Sequence, residues 1–184
     1  FYPALGVVQL GLSREGCYLL DAVALNGQLA PLGELLADAS TVKILHDAGQ
    51  DLTILQKASS SPGARVSAIN IFDTRVAAGF VGLASTVSLR DLLLDLVGIE
   101  LDKTETRTDW LQRPLAETQV SYAEDDVRYL VDAHDELLRR AQERDVTEWL
   151  QEEMESLNNP ALFEERDPRE EFRRVKGYGK MRGL

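Results

Sequence analysis

In the stretch "VSYAEDDVRYLVDAHDELL", residues 120–138, Tyr122 and Asp126 stand one helical turn apart, so a phenol and a carboxylate project from the same side of a helix. On a helical wheel Val120, Ala123, Val127, Leu130, His134 and Leu137 form one continuous core-facing stripe, and Asp126 falls at its margin. A carboxylate that loses water there needs compensation from a cation, a set of hydrogen-bond donors or a metal ion. A second acid, Asp51 in "HDAGQDL", stands in the first turn of a helix that follows the strand "TVKIL". It therefore projects from the carboxyl end of a strand, where ligands of open α/β sheets gather. A first-turn acid also complements the helix dipole without any further role. His46 and Gln50 flank Asp51 and are within reach of a substrate, although a histidine at a strand end equally suits a hydrogen-bonded structural position. Trp110 in "TDWLQRPL" offers either a stacking surface for a base or a core residue, Arg107 either a phosphate contact or an ion pair, and His134 packing.

These side chains need a scaffold, and the hydrophobic pattern supplies one. Residues 5–12 and 17–23 are β-rich runs separated by "SREG", whose Gly16 suits the turn of an antiparallel hairpin. "APLGELLADA" has helical spacing; "TVKILHD" is a short buried strand that leads into the helix "AGQDLTILQKA". "SAINIFD" is a further strand feeding the helix "TRVAAGFVG", with Asp73 as its N-cap. "VSLRDLLLDLVG" is an amphipathic helix closed by Gly98. Two adjacent strands followed by strand-helix units predict an α/β domain, a mixed β-sheet flanked by helices. Past Leu157 the periodicity is lost, and residues 158–184 read as a linker that carries a basic cluster, Arg173, Arg174, Lys176, Lys180 and Arg182.

The 184 residues, 44% hydrophobic and 28% charged, suffice for one core. No apolar run approaches a membrane span, and the single cysteine, Cys17, excludes a disulfide framework and a thiolate zinc site, which fits a reducing cytoplasm. The formal charge of −11 opposes wrapping of duplex nucleic acid by counterion release, but not local contact through metal ions. A chain that opens on Phe1 reads as part of something longer.

Taken together, "LDKTETRTDW", "RPL", the Tyr-x-x-x-Asp at Tyr122 and Asp126 and the following "VRYL" resemble the ribonuclease D family of 3′-to-5′ exonucleases, the group named for four acidic residues. "FYPALGVVQL", "ILHDAGQDL" and "IFDTRVAAGF" resemble that family's second strand, second acidic motif and next strand-helix junction, in order. The resemblance implies a ribonuclease H-like sheet over residues 1–157, with residues 158–184 leading toward a helical C-terminal domain. It implies two divalent ions, Mg²⁺ or Mn²⁺, roughly 3.5–4 Å apart over the scissile phosphate. Asp126 matches a direct ligand of one ion, Asp51 an acid that acts near the other, and Tyr122 the tyrosine that orients the attacking water. The implied substrate is an RNA 3′ end, single-stranded or in a tRNA precursor. A DNA-proofreading exonuclease shares these acids, and "LDKTETRTDW" favours RNA.

In one respect the chain departs from that family. The family's first motif, Asp-x-Glu on the first strand, should precede the segment that matches Phe1, and the 184 residues hold no Asp-x-Glu ahead of a strand. With two of four carboxylates, this chain is expected to bind catalytic metals poorly and to cleave RNA slowly. A non-catalytic nucleic-acid-binding module of the same fold is the alternative expectation.

Overall fold

The computed structural model describes residues 4–61, 63–101 and 108–163. The expected hairpin is present: β1 (Val7–Gly11) pairs antiparallel with β2 (Cys17–Asp21), Val7 opposite Asp21 and Gly11 opposite Cys17. Its turn closes where the Leu12 amide donates to the Gly16 carbonyl at 2.9 Å. After α1 (Ala30–Ala37), β3 (Lys43–Leu45) and β4 (Ile71–Asp73) run parallel, joined by α2 (Ala48–Ser59). Both strand senses of a mixed sheet are thus present, as two two-stranded ladders.

Asp73 ends β4 and begins α3 (Thr74–Phe80). Its carboxylate accepts from Arg75 N at 2.9 Å, as expected of an N-cap, and also from Asp47 N at 3.1 Å and Ala48 N at 2.8 Å, the first amides of α2. One buried anion therefore serves the positive ends of two helices and locks the β3–α2 and β4–α3 junctions together. The amphipathic helix α4 (Leu89–Val97) is capped by the Ser88 hydroxyl and ends at Gly98, whose φ of 69° is the left-handed conformation that glycine adopts freely.

The expected single helix through residues 120–138 is instead two helices. α5 (Glu117–Arg128) stops at Tyr129, whose φ of −110° and ψ of 6° break the ladder, and α6 (Leu130–Glu143) sets off from it. Each piece has its own partner: α5 lies on β1 and β2, while α6 packs on α3 and α4. The continuous stripe read from the wheel is rotated in consequence. Ala123 is buried on α5, and Ala133, Leu137 and Ala141, not Leu130 and His134, are the buried positions of α6. His134 is half-buried with its ring edge-on to Phe72, centroids 4.5 Å apart, in keeping with the expected packing role.

The chain continues into α7 (Thr147–Ser156). Leu92, Leu93, Leu137 and Leu150 form one core cluster beneath α3, α4, α6 and α7. Val8, Leu32, Leu36, Leu52 and Ile71 form a second between β1, α1 and α2. Residues 158–163, assigned by sequence to the linker, are docked on the domain: Phe163 is 6% exposed within this second cluster and the Asn158 side-chain oxygen accepts from Asn70 N at 2.8 Å, while 164–184 lie outside the described residues. The apolar side chain and a spare backbone donor both gain from that docking. The basic cluster lies outside the described residues. Among those described, no helix is long and apolar enough to cross a membrane.

Candidate functional site

Between the two ladders lies a cleft of about 400 Å³. Three consecutive residues of β1, Val7, Val8 and Gln9, line one wall, and Ile44, Leu45 and His46, at the end of β3, line the other. Successive strand residues point to opposite faces, so a wall built from consecutive residues is a strand edge. The cleft thus separates the edge of β1 away from β2 from the edge of β3 away from β4.

Asp51, in the first turn of α2, and Asp126, near the carboxyl end of α5, both open into this cleft. The charge of Asp51 acts on Asp126 across it. Partial burial pushes the Asp126 carboxyl up to about 6, and the negative charges of Asp125 and Asp51 add to the rise. Asp51 is at the exposed rim, yet loss of solvent among the packed walls raises it too, with Asp47 and Asp73 contributing. A carboxylate whose ionisation is hindered by burial and by neighbouring acids, as at Asp126, favours a proton or a cation beside it.

Tyr122 precedes Asp126 by one turn on α5, where its ring lies against Trp110, centroids 6.2 Å apart and planes tilted by 44°. The segment that carries Trp110 is held from two sides. Buried Gln119 of α5 donates to the Thr108 hydroxyl at 3.2 Å. Arg113 forks onto Asp21, the last residue of β2, through Nε at 2.7 Å and Nη2 at 2.6 Å. That guanidinium holds the Asp21 carboxyl at about 2.

His46 lines the cleft, but Nδ1 is 2.9 Å from the Thr74 hydroxyl and Nε2 is 3.1 Å from the Val87 carbonyl. Burial lowers its pKa; Nε2 faces the Val87 carbonyl as a donor, and Nδ1 shares the Thr74 hydroxyl, which also lies 3.1 Å from the Leu45 carbonyl. Both nitrogens are engaged within the fold, which is the structural role weighed for it. Gln50 is exposed in the first turn of α2 beside Asp51, and Trp110 is half-buried. Arg107 lies outside the described residues.

Three contributors carried little or no sequence signal. Asp47, adjacent to α2 in the left-handed conformation with φ of 63°, pairs with Arg75 and adds to the field on Asp51. Gly11 lies so close to α5 that a Cβ there would be 2.5 Å from the Val127 carbonyl oxygen, which fixes the helix next to Asp126. The Asp21–Arg113 pair spans two segments far apart in sequence, and only the "RPL" within the resemblance hinted at Arg113.

The hard carboxylate oxygens of Asp51 and Asp126 suit Mg²⁺ or Mn²⁺, and a divalent cation would offset the burial and, secondarily, the repulsion that raise Asp126. In number they fall short: among the described residues no group of three or more His, Cys, Asp or Glu is arranged to hold a metal ion.

Comparison with known proteins gives this cleft its context. The 3′-5′ exonuclease family profile matches residues 1–142. Ribonuclease D of Desulfotalea psychrophila is 48% identical over 98% of this chain, and ribonuclease D of Pseudomonas paraeruginosa is 38% identical over 96% of it. The solved structure of Escherichia coli RNase D, described as an exoribonuclease involved in structured RNA processing, superposes with a TM-score of 0.78 at 28% identity. It covers 96% of this chain and 45% of that one. The chain spans a little under half the length of these relatives, 47% and 44% for the first two. With Asp51 and Asp126 opening into one cleft of a ribonuclease H-like α/β fold, the chain belongs to the 3′-5′ exonuclease family, in its ribonuclease D branch.

Proposed function

We propose that this chain is the catalytic domain of a metal-dependent 3′-to-5′ exoribonuclease that releases nucleoside 5′-monophosphates from RNA 3′ ends in the cytoplasm, with tRNA precursors and other structured RNAs as its substrate class. The observation that carries this reading is the convergence of Asp51 and Asp126 on one cleft, where the Asp51 charge adds to the rise of Asp126. Bound Mg²⁺ or Mn²⁺ would supply activation of water and neutralisation of the charge that develops on phosphate. The chain's own part is to hold those ions through the Asp126 and Asp51 oxygens. Tyr122, one turn before Asp126, orients the attacking water by its phenol. Attack forms a bond from water oxygen to phosphorus and breaks the bond to the 3′ oxygen, which leaves with a proton as the new RNA end. Trp110, beside Tyr122, provides a face for the terminal base, and Gln50 at the exposed rim a polar contact to the substrate.

Among the described residues, the free edges of β1 and β3 both face this cleft. The family's Asp-x-Glu strand would precede Phe1. Strands in a sheet lie about 4.8 Å apart, so one strand between the edges of β1 and β3 would merge the two ladders into a single mixed sheet. Its carboxylates would then face Asp51 and Asp126. On this reading the 184-residue chain alone trims RNA slowly, and the chain lengthened ahead of Phe1 to include that strand trims it with Mg²⁺ or Mn²⁺.

The test is 3′-end trimming of a 5′-labelled RNA by the lengthened chain. Metal-dependent single-nucleotide steps, lost in Asp126→Asn, support the proposal, whereas RNA bound without trimming favours the second reading. That second reading, a non-catalytic nucleic-acid-binding module, draws on the absence, among the described residues, of three or more His, Cys, Asp or Glu arranged to hold a metal ion.

A further inference from the structure

The Arg113 guanidinium has five N–H groups, and each has an acceptor. Nε and Nη2 grip the two oxygens of Asp21, Nη2 also donates to the Gly6 carbonyl at 2.8 Å, and Nη1 donates to the Trp110 and Gln112 carbonyls at 2.9 and 2.8 Å. One side chain thus ties the backbone of Trp110 to the residue before β1 and to the last residue of β2. Asp21 is fixed in turn by accepting from Val23 N and Ala24 N, at 3.1 and 3.0 Å. The approach is tight: a Cβ on Gly6 would be 2.4 Å from the Trp110 carbonyl oxygen, so only glycine admits the segment. From the other side Gln119 of α5 holds Thr108 and accepts from Ala116 N. The ring carried by this doubly held segment is the one that meets Tyr122.

We propose that Asp21 and Arg113 form a positioning latch that fixes the Trp110 ring against Tyr122, and so sets the orientation of the Tyr122 phenol toward the Asp126 cleft. Neither residue touches the cleft; both act through Trp110. The consequence for catalysis rests on the exonuclease reading, while the latch itself does not. A planar fork is required, because lysine keeps the charge of Arg113 but cannot grip both Asp21 oxygens and three carbonyls at once.

Two readouts separate these parts. In Trp149→Phe protein, which leaves Trp110 as the single tryptophan, Arg113→Lys should raise acrylamide quenching of Trp110 about twofold with the far-ultraviolet circular dichroism unchanged. Asp21→Asn should do the same if Arg113→Lys folds poorly. Unchanged quenching in a folded variant overturns the latch. In single-turnover trimming by the lengthened chain, Arg113→Lys should slow the chemical step about tenfold with substrate affinity within twofold. In the Tyr122→Phe background the same change should slow it less than twofold. Equal slowing in both backgrounds overturns action through Tyr122. Absence of any trimming by the parent refutes the exonuclease reading, and the quenching result then decides the latch by itself.

Discussion

Replacing Asp126 by asparagine should stabilise the protein at neutral pH, although it removes a central site residue. In the fold the Asp126 carboxyl is raised from 3.8 to about 6, first by burial and then by Asp125 and Asp51. The folded chain therefore holds this proton more tightly than the unfolded chain does. Between about pH 4 and 6 folding takes up a proton, and the contribution of Asp126 to stability falls as pH rises; above about 6 the penalty is constant. At about 1.4 kcal/mol per pH unit that climb amounts to about 3 kcal/mol, and solvent at the half-open cleft reduces it to about 2. For a chain of this size that is a rise in Tm of about 4–8 °C for Asp126→Asn. Urea unfolding of parent and variant from pH 3.5 to 8 in chelator should show equal stability at the acid end and the full gap above pH 6. Saturating Mn²⁺ should close the gap by stabilising the parent alone. A variant less stable than the parent at pH 8, or a gap independent of pH, would refute this account of the cleft.

Asp73→Ala removes the acceptor that serves both α2 and α3 and should cost about 2–4 kcal/mol in urea unfolding, well beyond an ordinary cap. Leu137→Ala opens a cavity at a fully buried position between α6 and its neighbours and should cost about 2–5 kcal/mol by the same measurement. Gly11→Ala places a methyl 2.5 Å from the Val127 carbonyl oxygen and should displace α5, costing about 1–3 kcal/mol. Its diagnostic readout is a weakened Mn²⁺-dependent rise in Tm, because Asp126 moves with the helix.

The sequence was most legible where one local rule settled the outcome. Gly16 in the hairpin turn, Gly98 beyond α4 and Asp73 before α3 each stand where turn and cap chemistry demand them, and the elements they bound were all expected. The break at Tyr129 was not legible, because the periodicity on either side is helical and the rotation between α5 and α6 comes from their different packing partners. The docking of Phe163 was hidden for a similar reason, as an isolated aromatic in a polar stretch carries no period. At the site, the residue types of Asp51, Tyr122 and Asp126 and their order along the chain pointed to a family, while the field that couples Asp51 to Asp126 could be seen only in three dimensions. The second role of Asp73, as acceptor for the start of α2, and the reach of Arg113 to Asp21 depend on long-range contacts that no window of sequence contains.

The claim on which the account turns is that Asp51 and Asp126 share one cation-binding cleft. It is tested most directly by following the side-chain carboxyl carbons of ¹³C-labelled aspartate by NMR while Mn²⁺ is added. The Asp51 and Asp126 resonances should broaden together, ahead of exposed carboxylates such as Asp109 and Asp135, and Asp51→Asn should abolish early broadening at Asp126. Separate broadening of the two, or broadening no earlier than that of the surface aspartates, would contradict the shared site.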